Sequence, residues 1–256
     1  MASQLHDEHK WASRFFTSMN ASSYDALVSF ATFGQDYIWK RQILDVLDKH
    51  LLSCSCFTPS SSSSSLSSGV LQSHMCLDLA SGTGILSSLI ERRGNQGRGR
   101  TRIVVGLDFT FGYLQIAKKK FNTGKLTNGT AQLLPYREQA FDSITSSYLA
   151  KYVDIERVVS ECWRVLKRGG VVVFHDFTYP SNSWARTLWK GYFRILRSAA
   201  KAISSWAPVF QELDQVIKMS NWPGQTIQAL EGTGFKNISF KFYTMKTSAI
   251  VSAEKP

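Results

Sequence analysis

The spacing of apolar residues changes character near residue 74. Residues 1–52 carry them at helical intervals, with Trp11, Phe15 and Phe16 on one face. After residue 74, short apolar runs alternate with amphipathic stretches. The pattern predicts strands at 75–79, 102–107, 141–148 and 171–177, and helices at 85–93, 111–121 and 155–167. Such alternation indicates a parallel sheet that is covered by helices on both faces.

The last third of the chain follows a different order. A long helix is predicted at 183–206 and another at 222–233, followed by strands at 236–243 and 247–253. Residues 244–246 leave room only for a tight turn between these two strands. The fold class that follows is α/β, with a mostly parallel sheet that closes in an antiparallel hairpin.

A serine-rich stretch at 53–73 divides the chain, and serine is unbroken from 60 to 65. Because this composition buries little apolar surface, we expect a flexible insertion without chemistry. It separates an N-terminal helical cap at 1–52 from a larger domain at 74–256. The 256 residues lie near the upper limit for one hydrophobic core, which favours one domain with appendages.

Net charge and cysteine content limit which classes of binding partner and which cellular compartment we expect. The chain has 30 Lys and Arg against 19 Asp and Glu, and a net charge of +11 favours nucleic acid or a membrane surface as partner. No apolar run reaches the ~18 residues of a membrane-spanning helix. The four cysteines show neither a disulfide framework nor zinc spacing, so we expect a reducing compartment and no metal site. The N-terminus lacks the pattern of a secretory signal.

The chemically informative residues follow the first predicted strand. Asp78 ends that strand, and Gly82 and Gly84 form a small-residue loop that opens a helix. Glycines let backbone amides approach a ligand closely, and a helix N-terminus favours an anionic group. Asp108 ends the second strand about thirty residues later, where an acid accepts hydrogen bonds from ribose hydroxyls.

Two classes of cofactor compete for such a site. The dinucleotide fingerprint places a third small residue three positions after the second glycine, and Ser87 stands there. The Asp78 carboxylate would repel a pyrophosphate, whereas it suits a ligand with a cationic sulfonium end. The electrostatics therefore favour S-adenosylmethionine over NAD.

Several motifs resemble those of a known enzyme class. Asp-Leu-Ala-Ser-Gly-Thr-Gly at 78–84, Gly-Leu-Asp-Phe at 106–109 and Ala-Lys-Lys-Lys at 117–120 look like class I methyltransferases. More narrowly, the chain resembles the ubiquinone/menaquinone-biosynthesis C-methyltransferases of the UbiE/MenG type. The narrower resemblance depends on Pro180 and on the segments 24–25, 29–30, 39–41, 134–136, 141–142, 164–170, 176–177 and 234–235. It covers nearly the whole chain apart from 53–73.

The resemblance implies a Rossmann-like fold with a mostly parallel seven-stranded sheet, and S-adenosylmethionine as the cofactor. The cofactor-binding residues that it implies are Asp78, Ala80, Gly82, Thr83, Gly84, Asp108, Phe109, Thr130, Ala131 and Ser147. Thr83 and the amides around the two glycines would hold the methionine end, and Asp108 the ribose hydroxyls. Thr130 and Ala131 would flank the adenine, and Ser147 would line the pocket after the fourth strand.

The chain departs from the family pattern in three places. Thr130 stands where family members usually have Asp or Asn. Residues 148–153 replace the usual Phe-Gly-Leu-Arg-Asn-Val, and residues 174–178 replace a segment that usually reads Leu-Glu-Phe-Ser. Because the last two segments would face the acceptor, an acceptor other than a standard quinone precursor stays an alternative.

Methylation of a ring carbon requires that an adjacent hydroxyl be ionised by a base or stabilised by a cation. His175 and Asp176 end a strand at the edge of the sheet where such folds bind ligands. His175 titrates near neutrality and is the first candidate base; a hydrogen-bonded strand-end histidine is the alternative. Lys151 would stabilise a phenolate or be a solvated loop lysine. The residues expected to line the acceptor pocket, unless they serve ordinary packing, are Tyr24, Tyr148 and Tyr152.

The helix predicted at 184–206 has a basic face and an aromatic face. Its basic residues fall within an arc of roughly 80° at 100° per residue. They are Arg186, Lys190, Arg194, Arg197 and Lys201. A helix at a membrane interface and a core helix with a solvated basic face share this pattern, and both interpretations stay open. No nucleic-acid module is recognised, so nucleic acid is the less favoured partner.

We therefore expect an S-adenosylmethionine-dependent methyltransferase of a small lipophilic acceptor, with C-methylation of a quinone-type precursor as the first interpretation. The alternatives are an O- or N-methyltransferase of another metabolite, and a catalytically silent relative in a biosynthetic complex. The expected location is cytoplasmic with peripheral contact to an anionic membrane, or else the matrix side of the mitochondrial inner membrane.

Overall fold

The computed structural model describes residues 15–53, 72–95, 100–120, 124–200 and 206–256. Seven strands form one sheet in the order β3-β2-β1-β4-β5-β7-β6. They are β1 (Gln72–Leu79), β2 (Arg100–Asp108), β3 (Lys125–Asn128), β4 (Phe141–Ser147), β5 (Leu166–Phe177), β6 (Lys236–Tyr243) and β7 (Ser248–Glu254). Strands β1 to β5 pair in parallel, and β7 runs antiparallel to both β5 and β6. The predicted α/β class with a closing antiparallel hairpin is confirmed.

Eight α-helices lie in the described parts of the chain. They are α1 (Tyr24–Ala31), α2 (Gln35–Ser53), α3 (Ile85–Asn95), α4 (Phe111–Ala117), α5 (Ile155–Val165), α6 (Ser183–Ala200), α7 (Ala207–Met219) and α8 (Trp222–Thr233). Short 3₁₀ turns occur at Ser18–Ser23, Ala150–Tyr152 and Thr244–Lys246. Most of the predicted insertion at 53–73 lies outside the described residues, as do Trp11 and Lys201.

The sheet is buried on both faces, which explains the nearly continuous apolar run of β5. On one face, Val158 and Cys162 of α5 and Leu230 of α8 pack against the strands. On the other face, helices α2 and α3 cover the sheet through residues such as Leu47 and Ile90. The carboxyl ends of β1, β2 and β4 therefore meet at one protected edge, where ligands bind in open α/β sheets.

A third apolar cluster lies above the carboxyl end of β5. It joins α1, α6 and α7 to the segment before α1 through residues such as Phe15, Phe193 and Phe210. The aromatic face of α6 is consequently buried, with Trp189 only 7% exposed and Phe193 only 3% exposed. The packing thus buries the centre of this apolar face, while Trp184 and Leu188 at its flank stay 55% and 58% exposed. Contact of this helix with a membrane stays a prediction.

Two elements escaped prediction, and two helices end earlier than predicted. The strand β3 and the helix α7 were not predicted. The helix predicted at 155–167 ends at Val165, because Leu166 already pairs with Phe141 as the first residue of β5. The helix predicted at 111–121 ends at Ala117. Helix α6 is described as far as Ala200, and residues 201–205 of the helix predicted at 183–206 lie outside the described residues. Within the described ranges, no helix is both long and apolar enough to traverse a bilayer.

Candidate active site

The loop between β1 and α3 contains three residues with left-handed backbone. Ala80, Gly82 and Gly84 have φ angles of 53°, 55° and 80°. The amide of Ser81 donates to the Leu107 carbonyl (3.0 Å), which ties the loop to the end of β2. These torsions favour glycine because it lacks a Cβ atom. The sequence therefore folds here into a tight turn that exposes backbone at the carboxyl edge of the sheet.

Asp108 is fixed at the end of β2 beside this loop. Its two carboxylate oxygens accept hydrogen bonds from the amides of Gly82 (2.8 Å) and Thr110 (2.8 Å). The side-chain amide of Asn128 donates to the carbonyls of Asp108 and Phe109, at 2.9 Å each. Burial raises the pKa of Asp108 to about 6, although the two backbone amides act in the opposite direction. A carboxylate has about four acceptor sites, so Asp108 retains capacity for further donors.

A cavity of about 70 Å³ opens between these loops. Seven of the ten residues predicted to bind the cofactor line it, namely Ala80, Gly82, Asp108, Phe109, Thr130, Ala131 and Ser147. Tyr24, Tyr148 and Tyr152, which were predicted for the acceptor pocket, line the same cavity. The structure thus brings residues from five separate segments to one concave site.

Asp78, Thr83 and Gly84 do not line this cavity. Asp78 is 1% exposed and accepts hydrogen bonds from Thr145 (3.0 Å) and from the Ser87 hydroxyl. Burial raises the pKa of Asp78 to about 6, against the effect of those two donors. The expectation that the Asp78 carboxylate faces a cationic ligand is therefore not met by this geometry. Asp78 instead links the end of β1 to β4 through Thr145 and to the first turn of α3 through Ser87.

The segment before α2 closes over the cavity. Asp25 of α1 accepts hydrogen bonds from the Thr83 hydroxyl and from Lys120. Tyr113 donates to the side chain of Asn20 (2.8 Å) at the adjoining edge. Phe16 and Tyr113 line the cavity and escaped the sequence analysis. Phe16 was assigned only to an apolar helical face, which gave no signal that it contacts the glycine-loop site.

The three tyrosines form an aromatic wall with Phe16. Phe16 meets Tyr152 edge-to-face at a centroid distance of 5.6 Å and meets Tyr24 at 6.3 Å. Burial raises the pKa of all three tyrosines well above 10, so their hydroxyls stay protonated. Tyr148 has φ = 66° and donates to Asp36 (2.7 Å), which also pairs with Lys40. Tyr148 is consequently held by a buried charged group behind the wall.

His175 lies behind the cavity rather than on its surface. Its Nδ1 lies 2.9 Å from the Ser147 hydroxyl and its Nε2 lies 2.8 Å from the Ser248 hydroxyl. Burial lowers the pKa of His175 well below its ordinary value, and the charges of Lys40 and Lys151 add to this effect. The geometry matches a hydrogen-bonded strand-end histidine, since both ring nitrogens already have partners.

Asp176 and Lys151 form a fully buried ion pair. Their side chains are 0% and 1% exposed, and Asp176 also accepts from the backbone amide of Phe177 (2.7 Å). Burial raises the pKa of Asp176 and lowers that of Lys151, while each charge opposes the shift in the other. The Lys151 ammonium lies 4.3 Å from the centroid of the Tyr152 ring. Lys151 is therefore a buried cation at the aromatic wall, and a solvated loop lysine is excluded.

Two further cavities continue from the aromatic wall toward the surface. The second, of about 60 Å³, shares Phe16 and the three tyrosines with the first and is also lined by Lys151. The third, of about 250 Å³, shares Ala31, Thr32, Phe177, Phe210 and Leu213 with the second. The lining of both is predominantly apolar. The three cavities form a row that leads from the glycine loop to the mouth of the third cavity.

Comparison with known sequences agrees with this architecture. A family model for the ubiE/COQ5 methyltransferase family matches residues 4–255. The chain is 29% identical over 228 residues to demethylmenaquinone methyltransferase of Streptomyces avermitilis, covering 88% of this chain and 86% of that protein. It is 33% identical over 168 residues to 2-phytyl-1,4-naphtoquinone methyltransferase of Thermosynechococcus vestitus, covering 64% of this chain and 63% of that protein.

Solved structures share the fold at low sequence identity. Phosphoethanolamine N-methyltransferase 2 of Haemonchus contortus, in complex with S-adenosyl-L-methionine, has a TM-score of 0.52 at 14% identity, covering 82% of this chain and 52% of that chain. Geranyl diphosphate C-methyltransferase of Streptomyces coelicolor has a TM-score of 0.50 at 12% identity, covering 72% and 73%. These similarities concern the fold alone. The family match spans nearly the whole chain and confirms the resemblance found in its motifs, so the chain belongs to the ubiE/COQ5 family of methyltransferases.

Proposed function

We propose that this methyltransferase uses S-adenosylmethionine to methylate a ring carbon of a quinone-type precursor that carries an apolar tail. The observation that carries the proposal is the row of three cavities. The cavity at the glycine loop shares its aromatic wall with a second, mainly apolar cavity, and the second shares Phe177, Phe210 and Leu213 with a third. The names of two relatives, which act on demethylmenaquinone and on a phytyl-naphthoquinone, support the same class of acceptor.

The first cavity fits the proposed cofactor by its chemistry. Asp108 offers a fixed carboxylate with spare acceptor capacity for ribose hydroxyls, and the left-handed turn at Gly82 brings backbone to the cavity surface. Leu107 and Ala131 add apolar lining suited to a flat base. When bound, the cofactor supplies an electrophilic methyl group. The protein's own contribution is orientation and charge.

The aromatic wall would orient the acceptor ring. Phe16, Tyr24, Tyr148 and Tyr152 line both the first and the second cavity, so a ring held among them lies at the junction of the two. Among the described residues, the hydroxyls of Tyr24 and Tyr152 have no hydrogen-bond partner, and both remain protonated donors. Such an apolar, closely packed junction would align the reacting groups and exclude water.

Lys151 would stabilise the ionised hydroxyl of the ring. It is the cation that lines the second cavity, and burial strengthens its interaction with a nearby anion because the local dielectric is low. Asp176 holds Lys151 in place. His175, with both nitrogens bound to serine hydroxyls, would position Ser147 rather than take a proton from the acceptor.

Methyl transfer from labelled S-adenosylmethionine to a reduced short-tailed demethylnaphthoquinone tests the proposal. We expect label in the lipid fraction and a new ring C-methyl group by mass spectrometry. Asp108→Ala is the control, and it should transfer less label at a cofactor concentration near the wild-type Kd. Label on an oxygen or nitrogen atom of the product would instead support an O- or N-methyltransferase. Calorimetric binding of the cofactor without transfer to any quinol would indicate a catalytically silent relative.

A further inference from the structure

Three exposed apolar side chains surround the mouth of the third cavity. Phe33, Leu188 and Met245 line this cavity and are nevertheless 78%, 58% and 53% exposed. We call these three residues the rim. Phe30 and Trp184, each about one helical turn or less from a rim residue, are 66% and 55% exposed. Exposed apolar groups collected around a cavity mouth mark an interaction surface, whereas scattered ones need no explanation.

The backbone holds two of the rim residues outward at a cost in strain. Phe33 has φ = 50°, and Met245 has φ = 55° between two neighbours that are also left-handed. Such torsions are unfavourable in residues other than glycine, and they collect at functional sites. Thr244 joins the two loops, since its hydroxyl accepts from Trp39 (2.9 Å) and donates to Gln35 (3.2 Å). The rim is thus a fixed arrangement of two connected loops and one helix.

Exposed basic side chains flank the two loops that carry Phe33 and Met245. They are Arg41, Lys241 and Lys246, whereas the exposed basic residues of α6 lie about 120–160° around the helix from Leu188. The acidic residue of the Phe33 segment, Asp36, is buried and paired with Lys40, and Asp214 of α7 accepts from Trp189 (2.6 Å) and pairs with Arg197. Basic side chains beside exposed apolar ones complement a bilayer, where anionic headgroups lie directly above an apolar layer.

We propose that the rim docks on an anionic lipid bilayer. Phe33, Leu188 and Met245 would enter the acyl boundary, while Arg41 and Lys246 contact lipid phosphates. This orientation directs the mouth of the apolar third cavity into the membrane. An acceptor with an apolar tail would then enter the cavity directly from the bilayer, a route that rests on the function proposed above.

Sedimentation of the full chain with vesicles tests the docking without any measurement of activity. We expect binding to phosphatidylcholine–phosphatidylglycerol vesicles and little binding to phosphatidylcholine alone. The variant Phe33→Asn/Met245→Asn keeps a residue that tolerates left-handed backbone, and it should lower the partition coefficient at least about tenfold. The variant Arg41→Glu/Lys246→Glu should lower it by about tenfold or more, because each basic residue near such a surface contributes about 1 kcal/mol.

Matched controls use exposed residues that lie beyond the rim, toward the β3 edge of the sheet. Leu133→Ser removes a side chain that is 73% exposed, and Lys119→Glu/Lys125→Glu makes the same change in charge as the basic pair. Both controls should retain wild-type partitioning. Equal loss in controls and rim variants, or no binding of the wild type to anionic vesicles, would overturn the proposal. The wild type could instead self-associate without binding vesicles. If the Phe33→Asn/Met245→Asn variant abolished that self-association, the rim would be a dimer interface and the docking proposal would be overturned.

The two proposals fail in distinguishable ways. Vesicle binding with no methylation of any quinol would refute the proposed function alone. Methylation of a soluble short-tailed quinol by a protein that ignores vesicles would refute the docking alone. Calorimetric binding of S-adenosylmethionine by each variant shows that it is folded, and the basic pair tests the docking independently of the apolar pair.

Discussion

Replacing Lys151 with methionine isolates the buried ion pair beside the aromatic wall. The substitution keeps most of the apolar volume of the side chain and leaves the Asp176 carboxylate without its cation. Asp176 is 0% exposed and would retain hydrogen bonds only from the amides of Phe177 (2.7 Å) and residue 151 (3.4 Å). Removing one partner of a buried pair typically destabilises a protein by about 3–5 kcal/mol.

Protonation of Asp176 sets an upper bound to this loss. Holding a carboxyl with an ordinary pKa of 3.8 in its neutral form at pH 7 costs about 4 kcal/mol, at 1.36 kcal/mol per pH unit. Burial already raises the pKa of Asp176 in the wild type, and without the opposing charge of Lys151 it rises further above that of the unfolded chain. The variant's deficit should therefore be absent below the unfolded pKa and grow as the pH rises, by about 2–3 kcal/mol between pH 5 and 7.

Urea unfolding of wild type and variant at these two pH values measures the difference. Lys167→Met is the matched control, since Lys167 pairs with Asp142 at 2.8 Å but is 41% exposed, and it should cost about 0–1 kcal/mol. Lys151→Met/Asp176→Leu should recover most of the stability, because paired apolar residues replace a buried ion pair well. If that double variant is stable but inactive, the Lys151–Asp176 pair acts in the chemistry. A deficit in Lys151→Met within about 1 kcal/mol of the control, or one that does not grow with pH, would refute the reasoning.

Two further predictions concern the first cavity. Asp108→Ala should weaken binding of S-adenosylmethionine by about 1–3 kcal/mol in calorimetry. The affinity of the wild type should fall as the pH drops through about 6, because the Asp108 carboxylate becomes protonated there. Unchanged affinity in both experiments would contradict the role assigned to Asp108. Asp25→Asn should speed cofactor release up to about fivefold in stopped-flow measurements, because Asp25 links α1 to Thr83 through a partly exposed contact worth about 1 kcal/mol or less. An unchanged release rate would show that α1 does not retain the cofactor.

The sequence predicted elements well where apolar runs are long. Strands β1, β2, β4 and β5 are central and buried on both faces, so their composition alone indicates them. The strand β3 has four residues, Lys125-Leu126-Thr127-Asn128, and none of them is fully buried. Its extended backbone is set by pairing with β2 rather than by local preference. The hydrophobicity pattern of a short segment does not reveal which strand it will pair with.

The positions of candidate residues along the chain were predicted better than their surroundings. Asp78 and His175 do lie at or near strand ends, as their sequence positions indicate. Their hydrogen-bond partners come from distant segments, since Thr145 is 67 residues from Asp78 and Ser248 is 73 residues from His175. Sequence reasoning could not distinguish a side chain that faces the cavity from one that is enclosed by such partners. The lining residues Ala80, Asp108 and Ser147 were found because motif position alone places them at the edge of the sheet.

The segment before α2 connects the two halves of the site. Phe16 and Tyr24 line both the first and the second cavity, and Asp25, the residue after Tyr24, contacts the glycine loop. Any displacement of this segment therefore changes the cofactor site and the aromatic wall together. Two of the three rim residues, Leu188 and Met245, belong to α6 and to the turn before β7 instead. The mouth of the third cavity is thus built mainly by elements outside the segment that covers the glycine loop, which separates the proposed route of the acceptor from that of the cofactor.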